Sequence, residues 1–277
     1  MTGTPSAADD RASGEPDIDP SVAHEARVYD FLLGGSTNFE VDREAAGRAG
    51  AAVGGIEVAR AAVRGNRAFL VQVVRYLAGE MGIRQFLDIG TGIPNDDNVQ
   101  RVVLEVAPDA RVVSVDNDPI VLAHAHLLLE PMDGGATVFL LADLRDPDDV
   151  LRRAAETLDF SEPIAVLFNA VLHHIPDSDD PYGIVARFMD AVPSGSYLAV
   201  SHLTNEMRAD EINALAESVP QQARYLFAAR TKAEISRFFE GLELVPPGVV
   251  SIDQWRPDDP DAPVEGKHHY GAVARKP

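Results

Sequence analysis

The chain has 277 residues, 45% of them hydrophobic and none a cysteine, and its 24 Lys and Arg against 44 Asp and Glu leave a formal net charge of −20. That composition fits a globular chain and disfavours a nucleic-acid or anionic-membrane surface as its main partner, since phosphate binding depends on clustered Lys and Arg. The missing thiols exclude disulfides, thiolate nucleophiles and cysteine-containing zinc sites, and no apolar run approaches the 18 residues of a membrane span.

Residues 1–19 hold Gly, Pro, Ser, Thr and Asp without hydrophobic periodicity and read as a disordered lead. Their acids, Asp9, Asp10, Glu15, Asp17 and Asp19, stand where a signal peptide would be basic and then apolar, so a cytoplasmic protein is expected. From Ser21 to Leu33 the residues Val22, Val28, Phe31 and Leu32 suggest a short helix, stopped by Gly34 and Gly35. More helix follows, and Phe69, Leu70, Val73, Val74 and Leu77 predict an apolar helical face between 64 and 77.

From residue 85 short apolar runs alternate with helical patterns, as βαβ units require. The predicted strands are 85–89, 111–115, 137–141, 164–169 and 196–201. Val99, Val102, Val103 and Val106 mark one helix, Asp118 and Pro119 cap the next, and Thr231 with Glu234 form a capping box before Ile235, Phe238, Phe239 and Leu242. Two extended runs, 242–251 and 269–275, flank the Pro/Asp-rich stretch 256–263, a connection that favours antiparallel pairing. The expected fold is α/β and Rossmann-like, its sheet mainly parallel with one reversed strand at the edge region.

The most informative string is Phe86-Leu87-Asp88-Ile89-Gly90-Thr91-Gly92-Ile93-Pro94, a strand running into a Gly-x-Gly turn. Glycines serve where backbone turns sharply and approaches a ligand. The dinucleotide fingerprint would place a third glycine where Asn95 stands, and Asp88 would repel a pyrophosphate but attract an ammonium or sulfonium group. These two features weigh against a nicotinamide dehydrogenase. Asp116 ends the second strand, where a carboxylate can take both hydroxyls of a ribose, and Asp143 ends the third, beside a purine amine. Each acid alone has an ordinary reading as a helix cap or turn residue. Three at the carboxyl ends of successive strands point to one ligand edge.

These motifs resemble the class I S-adenosylmethionine-dependent methyltransferases over about residues 84–201, with Asn169-Ala170-Val171-Leu172-His173-His174-Ile175 in the place of the fourth-strand motif. More narrowly, Arg27-Val28-Tyr29-Asp30-Phe31-Leu32-Leu33-Gly34-Gly35 with Asn38 and Asp42-Arg43, and Trp255-Arg256-Pro257, resemble the actinobacterial S-adenosyl methyltransferase family known as DUF574. The resemblance implies S-adenosylmethionine as cofactor, bound by Asp88, Gly90, Gly92, Asp116, Asn117, Asp143, Leu144 and Asn169, with Arg27, Tyr29, Gly34 and Asn38 contributed by a helical cap. The expected organisation is the lead 1–19, a helical cap 20–82 and a cofactor-binding core 83–277.

An acceptor, a small molecule or peptide-like, is expected beyond the fourth and fifth strands, bordered by Asn169, His173 and His202, with His173 as the base for proton removal. His173 can equally be a packed residue, and an acceptor that needs no base would leave it a positioning role. The alternative is a non-catalytic S-adenosylmethionine-binding sensor or scaffold. No metal site is expected: His124 and His126 face different ways on a helix, and His268-His269 lack a spaced carboxylate partner.

Overall fold

The computed structural model describes residues 18–95, 97–128, 136–218, 228–256 and 268–277. The expected lead, apart from Ile18 and Asp19, and nearly all of the Pro/Asp-rich stretch lie outside the described residues. In chain order come α1 (Glu25–Leu33), α2 (Glu40–Ala52), α3 (Ile56–Arg75) with a π turn at Tyr76–Glu80, β1 (Gln85–Ile89), α4 (Val99–Val106), β2 (Arg111–Asp116), α5 (Pro119–Leu128) and β3 (Ala136–Leu141). The second half holds α6 (Pro147–Ala154), β4 (Ala165–Asn169), α7 (Pro181–Ala191), β5 (Tyr197–Leu203), α8 (Ala209–Ser218), α9 (Lys232–Ser236), β6 (Glu243–Leu244), β7 (Val250–Ser251) and β8 (His269–Arg275). The five predicted strands coincide with β1 to β5 to within two residues.

The strands lie in the order β3-β2-β1-β4-β5-β8-β6, with β7 also on β8. β1 to β5 are parallel, and β8 runs antiparallel to β5 from Tyr197 opposite Arg275 to Leu203 opposite His269. The reversed strand is therefore β8, yet it is not outermost. The run 242–251 breaks into β6 and β7 rather than forming one strand, because Pro246 and Pro247 have no N–H to give a ladder and Gly248 turns at φ +86°.

Alternate residues of each strand feed opposite layers. Leu87, Val113, Val166, Leu198 and Ala272 pack with α6, α7 and the segment after α9; Phe86, Val112, Ala165, Ala199 and Val273 pack against α3 and α4. Helices on both faces explain why the strands read as unbroken apolar runs. The Trp255-Arg256 pair belongs to this second layer. Trp255 is fully buried edge-on against Phe69 and Tyr76, and Arg256 lies 4.2 Å over the Tyr76 ring and 2.8 Å from Glu80.

Beyond the carboxyl ends of the strands, α1, α2 and the first turns of α3 form a smaller core with α8: Val28, Leu32, Ala45, Val53, Ala59 and Val63 meet Leu203, Ile212 and Leu215. The last turns of α3 instead enter the sheet layer through Phe69, Leu70, Val73 and Val74. The helix predicted from 64 thus begins eight residues earlier, at Ile56. The predicted helix after Thr231 keeps its reciprocal capping box but yields to a 3-10 turn at Arg237–Phe239.

Candidate functional site

Two troughs open side by side at the carboxyl ends of β1, β2 and β4. The first is bordered by Asp88, Gly90, Gly92, Asp116, Asn169 and Arg67; the second by Gly90, Asp116, Asn117, Asp143, Leu144 and Arg145. Every core residue predicted for the cofactor therefore lies on one of two adjoining surfaces. The loop from Gly90 runs on to Asn98, whose side chain caps α4 by accepting from Arg101 N–H at 2.8 Å. That long approach removes the need for a third glycine, since the helix start does not press against the turn.

The two glycines have different tasks. Gly90 adopts φ +73°, and a Cβ there would strike the Val171 side chain at 2.4 Å; Gly92 adopts φ +69° beside open space and donates its N–H to Asp116 Oδ2 at 2.8 Å. Asp116 Oδ1 accepts from Asp118 N–H at 3.0 Å. Loss of water raises the pKa of both Asp88 and Asp116 to about 6, against the opposing pull of Thr91 and Arg67 at Asp88 and of backbone N–H groups at Asp116. Asp143 differs: burial pushes its pKa up, but the fork of Arg145, at 2.7 to 3.1 Å, more than offsets it and holds the carboxyl below its ordinary value.

The cap residues divide. Tyr29 borders the first trough, its hydroxyl donating to Val63 O at 3.1 Å and accepting from Asn66 Nδ2 at 3.0 Å. Asn66 Oδ1 takes the Ser201 hydroxyl at 2.6 Å, and Ser201 Oγ accepts from Ala170 N–H at 2.9 Å, holding Ala170 at φ +53° between trough and cap. Arg27, Gly34 and Asn38 do not border the troughs. Arg27 is buried, with Nε 3.2 Å from Asp118, and His24 Nδ1 lies 3.1 Å from the same carboxylate, so the two tie the cap to the start of α5. Gly34 ends α1 in the left-handed region at φ +94°. Asn38 Nδ2 donates to Asp30 at 3.0 Å and to Gly35 O, while its Oδ1 accepts from Arg43, so this conspicuous string locks a loop.

Under the cap lies an apolar cavity of about 120 Å³, walled by side chains such as Val28, Leu32, Ala45, Val53, Val63 and Ile212. Its other wall holds His173, His174, His268 and His269. Burial drives His173 well below the ordinary imidazole value, and the neighbouring His174, His202, His269 and Arg230 push it further. That lowers its strength as a base. His202, expected at the acceptor, does not reach the cavity: its Nδ1–H donates to Leu203 O at 2.7 Å, and its Nε2 accepts from the buried Arg230 at 2.8 Å, a state burial enforces by lowering its pKa to about 3. Arg230 also donates to Leu172 O, Ile175 O and Asp177, which closes the β4 loop from behind.

Sequence reasoning passed over Glu25 and Arg67. Glu25 borders both troughs and the cavity, and Arg67 borders the first trough beside Asp88. In the sequence Glu25 reads as a first-turn helix acid and Arg67 as the polar face of α3, so neither carries a signal of its own.

The sequence matches a family described as S-adenosyl methyltransferase over residues 11–277. Among solved structures it is similar to a DUF574 family protein from Streptomyces avermitilis, at 42% identity and a TM-score of 0.86 over 94% of this chain and 100% of that one. It is also similar to a candidate methyltransferase from Thermobifida fusca, at 38% identity and a TM-score of 0.85 over 96% and 99%. The structure of TnmH, 18% identical with a TM-score of 0.52 over 90% of this chain and 64% of that one, shares the fold. No curated protein matches the chain at a significant level.

Proposed function

The chain belongs to the S-adenosyl methyltransferase family, and from that premise we propose where an S-adenosylmethionine-dependent methyltransferase of this sequence holds its cofactor and its acceptor. The observation that carries the reading is electrostatic. Asp88, Asp116 and Glu25 stand together around the first trough with their pKa values raised by loss of water, so the free site is short of positive charge. A ligand bearing an ammonium and a sulfonium supplies it, whereas a pyrophosphate would aggravate the deficit.

Asp116 takes the ribose hydroxyls with the lone pairs its two backbone bonds leave over. Asn117, Asp143 and Leu144 border the base, and Arg67, whose Nε is buried without a hydrogen-bond partner, takes the methionine carboxylate. Asp88 faces the ammonium, with Asn169 and Tyr29 closing that end. The cofactor supplies an activated methyl group, so the protein contributes chiefly orientation and exclusion of water.

The acceptor occupies the cavity under the cap. Its volume, about 120 Å³, is close to the ~150 Å³ of an engineered apolar cavity that takes benzene. This favours a small, uncharged ring or chain over a folded peptide and gives a purely cofactor-sensing protein no use for the space. His173 positions the acceptor rather than serving as a strong base. No helix among the described residues is long and apolar enough to cross a membrane.

The test is a crystal of the full chain soaked with S-adenosylhomocysteine, together with calorimetry of its binding. The nucleoside should lie along both troughs with its sulfur at the cap. Nucleoside density elsewhere would refute the assignment.

A further inference from the structure

The two troughs and the apolar cavity share two bordering residues, Glu25 and His174. The reacting carbon must face both the donor's sulfur, between its methionine and nucleoside halves, and the acceptor, so the point of transfer falls at this junction. Glu25 opens α1, and its Oε2 is buried with no hydrogen-bond partner; His24 Nε2 lies 3.6 Å away. A carboxylate oxygen stripped of water and left unbonded is costly, which suits a group whose partner arrives with the ligand.

Resting on the cofactor reading above, we infer that Glu25 is a switchable counter-ion at the point of transfer, ionised opposite the donor's sulfonium and protonated opposite the thioether product. Its surroundings set the direction. Loss of water raises its pKa to about 8 against a hydrogen bond from its own backbone N–H; the charges of Asp116 and Asp118 add to the rise, and Arg145 opposes it. His24 precedes it, His174 shares its junction, and Arg48 of α2 with His268 and His269, just before and at the start of β8, line the same cavity. At pH 7 the carboxyl therefore keeps its proton in the free enzyme. A fixed positive charge beside it favours the carboxylate, and the proton leaves to solvent as the donor binds.

The group-transfer step balances around this residue. The methyl carbon bonds to the acceptor's oxygen or nitrogen, the carbon–sulfur electron pair stays on sulfur, and Glu25 takes the proton that the acceptor atom gives up. Carboxylate plus sulfonium become carboxyl plus thioether, and the site returns to the protonation state it holds when empty.

Calorimetric titration of the full chain at pH 7, in two buffers of different ionisation enthalpy, tests this directly. S-adenosylmethionine should release close to one proton per site and S-adenosylhomocysteine close to none, a comparison that needs no variant. Between about pH 6.5 and 8 affinity for S-adenosylmethionine should rise with pH by up to about tenfold per unit. Asp88 and Asp116, at about 6, titrate below that window. Glu25→Gln should lose both the proton release and the pH slope, and Glu25→Asp should restore the slope. Equal release with both nucleosides, or unchanged release in Glu25→Gln, overturns the inference. If the native chain binds neither nucleoside, the cofactor site itself fails, a result distinct from the others.

Discussion

The troughs at the strand ends and the cavity under the cap obey one rule with opposite results. Burial disfavours charge in both, so the carboxyls of Asp88 and Asp116 are pushed up to about 6 while the imidazoles of His202 and His269, on and behind the cavity wall, are pushed down to about 3. In the troughs this leaves acids that welcome a cation. Beside the cavity it leaves neutral rings that make no demand for an ion. On the reading proposed above, the contrast suits a donor that carries positive charge and an acceptor that carries none.

The largest effect should come from cutting the tie between the two regions. Arg27→Ala leaves Asp118 short of its guanidinium in a buried setting, and the chain should lose about 3–5 kcal/mol of stability. A denaturant midpoint that falls at constant slope would report it. Next, Asp116→Ala should weaken S-adenosylhomocysteine binding by about 1.5–3 kcal/mol, the range for hydrogen bonds to a charged group. Calorimetry that finds unaltered affinity would take Asp116 out of the ribose site.

The contrast also has a pH signature. The native pKa of His269 is lowered to about 3 by burial and by His268, so between there and its ordinary 6.5 the unfolded chain binds a proton that the folded chain refuses. Stability is therefore lost as pH falls through that window, by about 1.4 kcal/mol per unit for each such imidazole. Asp88 and Asp116 act the other way between about 4 and 6, because the folded chain holds their protons longer. His269→Leu should expose the balance: its melting temperature should decline less on acidification from pH 6.5 to 5 than that of the native chain. The smallest effect belongs to Gly34→Ala, which forces a side chain into the left-handed helix stop at a cost of about 1 kcal/mol. Affinity for S-adenosylhomocysteine should stay as it was, and a marked loss would return Gly34 to the cofactor site.

The troughs were legible because strand ends announce themselves. Asp88 stands two residues before a glycine turn, and Asp116 and Asp143 each close an apolar run, so the chain's local pattern already places them on one edge. The cavity was not, because its walls come from α1, α2, α3, β5, α8 and β8, and small residues such as Ala45 and Ala59 read in sequence as helix formers. His173 and His202 illustrate the same limit. Both were visible as polar residues past a strand, but only the contact with Arg230 shows that His202 is sealed behind the wall. The Gly34-Gly35 string has a local task that sequence alone does not display, since Asp30 beside it accepts from Thr37 N–H and Asn38 Nδ2.

The division of α3 has a consequence for traffic. Its early turns, at Ala59 and Val63, are held in the cap, and its later ones, at Phe69 and Val73, under the sheet; Arg27 and His24 fasten the same cap to α5. Packing at both places opposes a swing of the cap as one body. An arginine that reaches solvent borders each space, half-exposed Arg145 at the second trough and exposed Arg48 at the cavity. With donor and acceptor placed as proposed, entry past these two separate arginines predicts random-order kinetics, with either partner free to enter first.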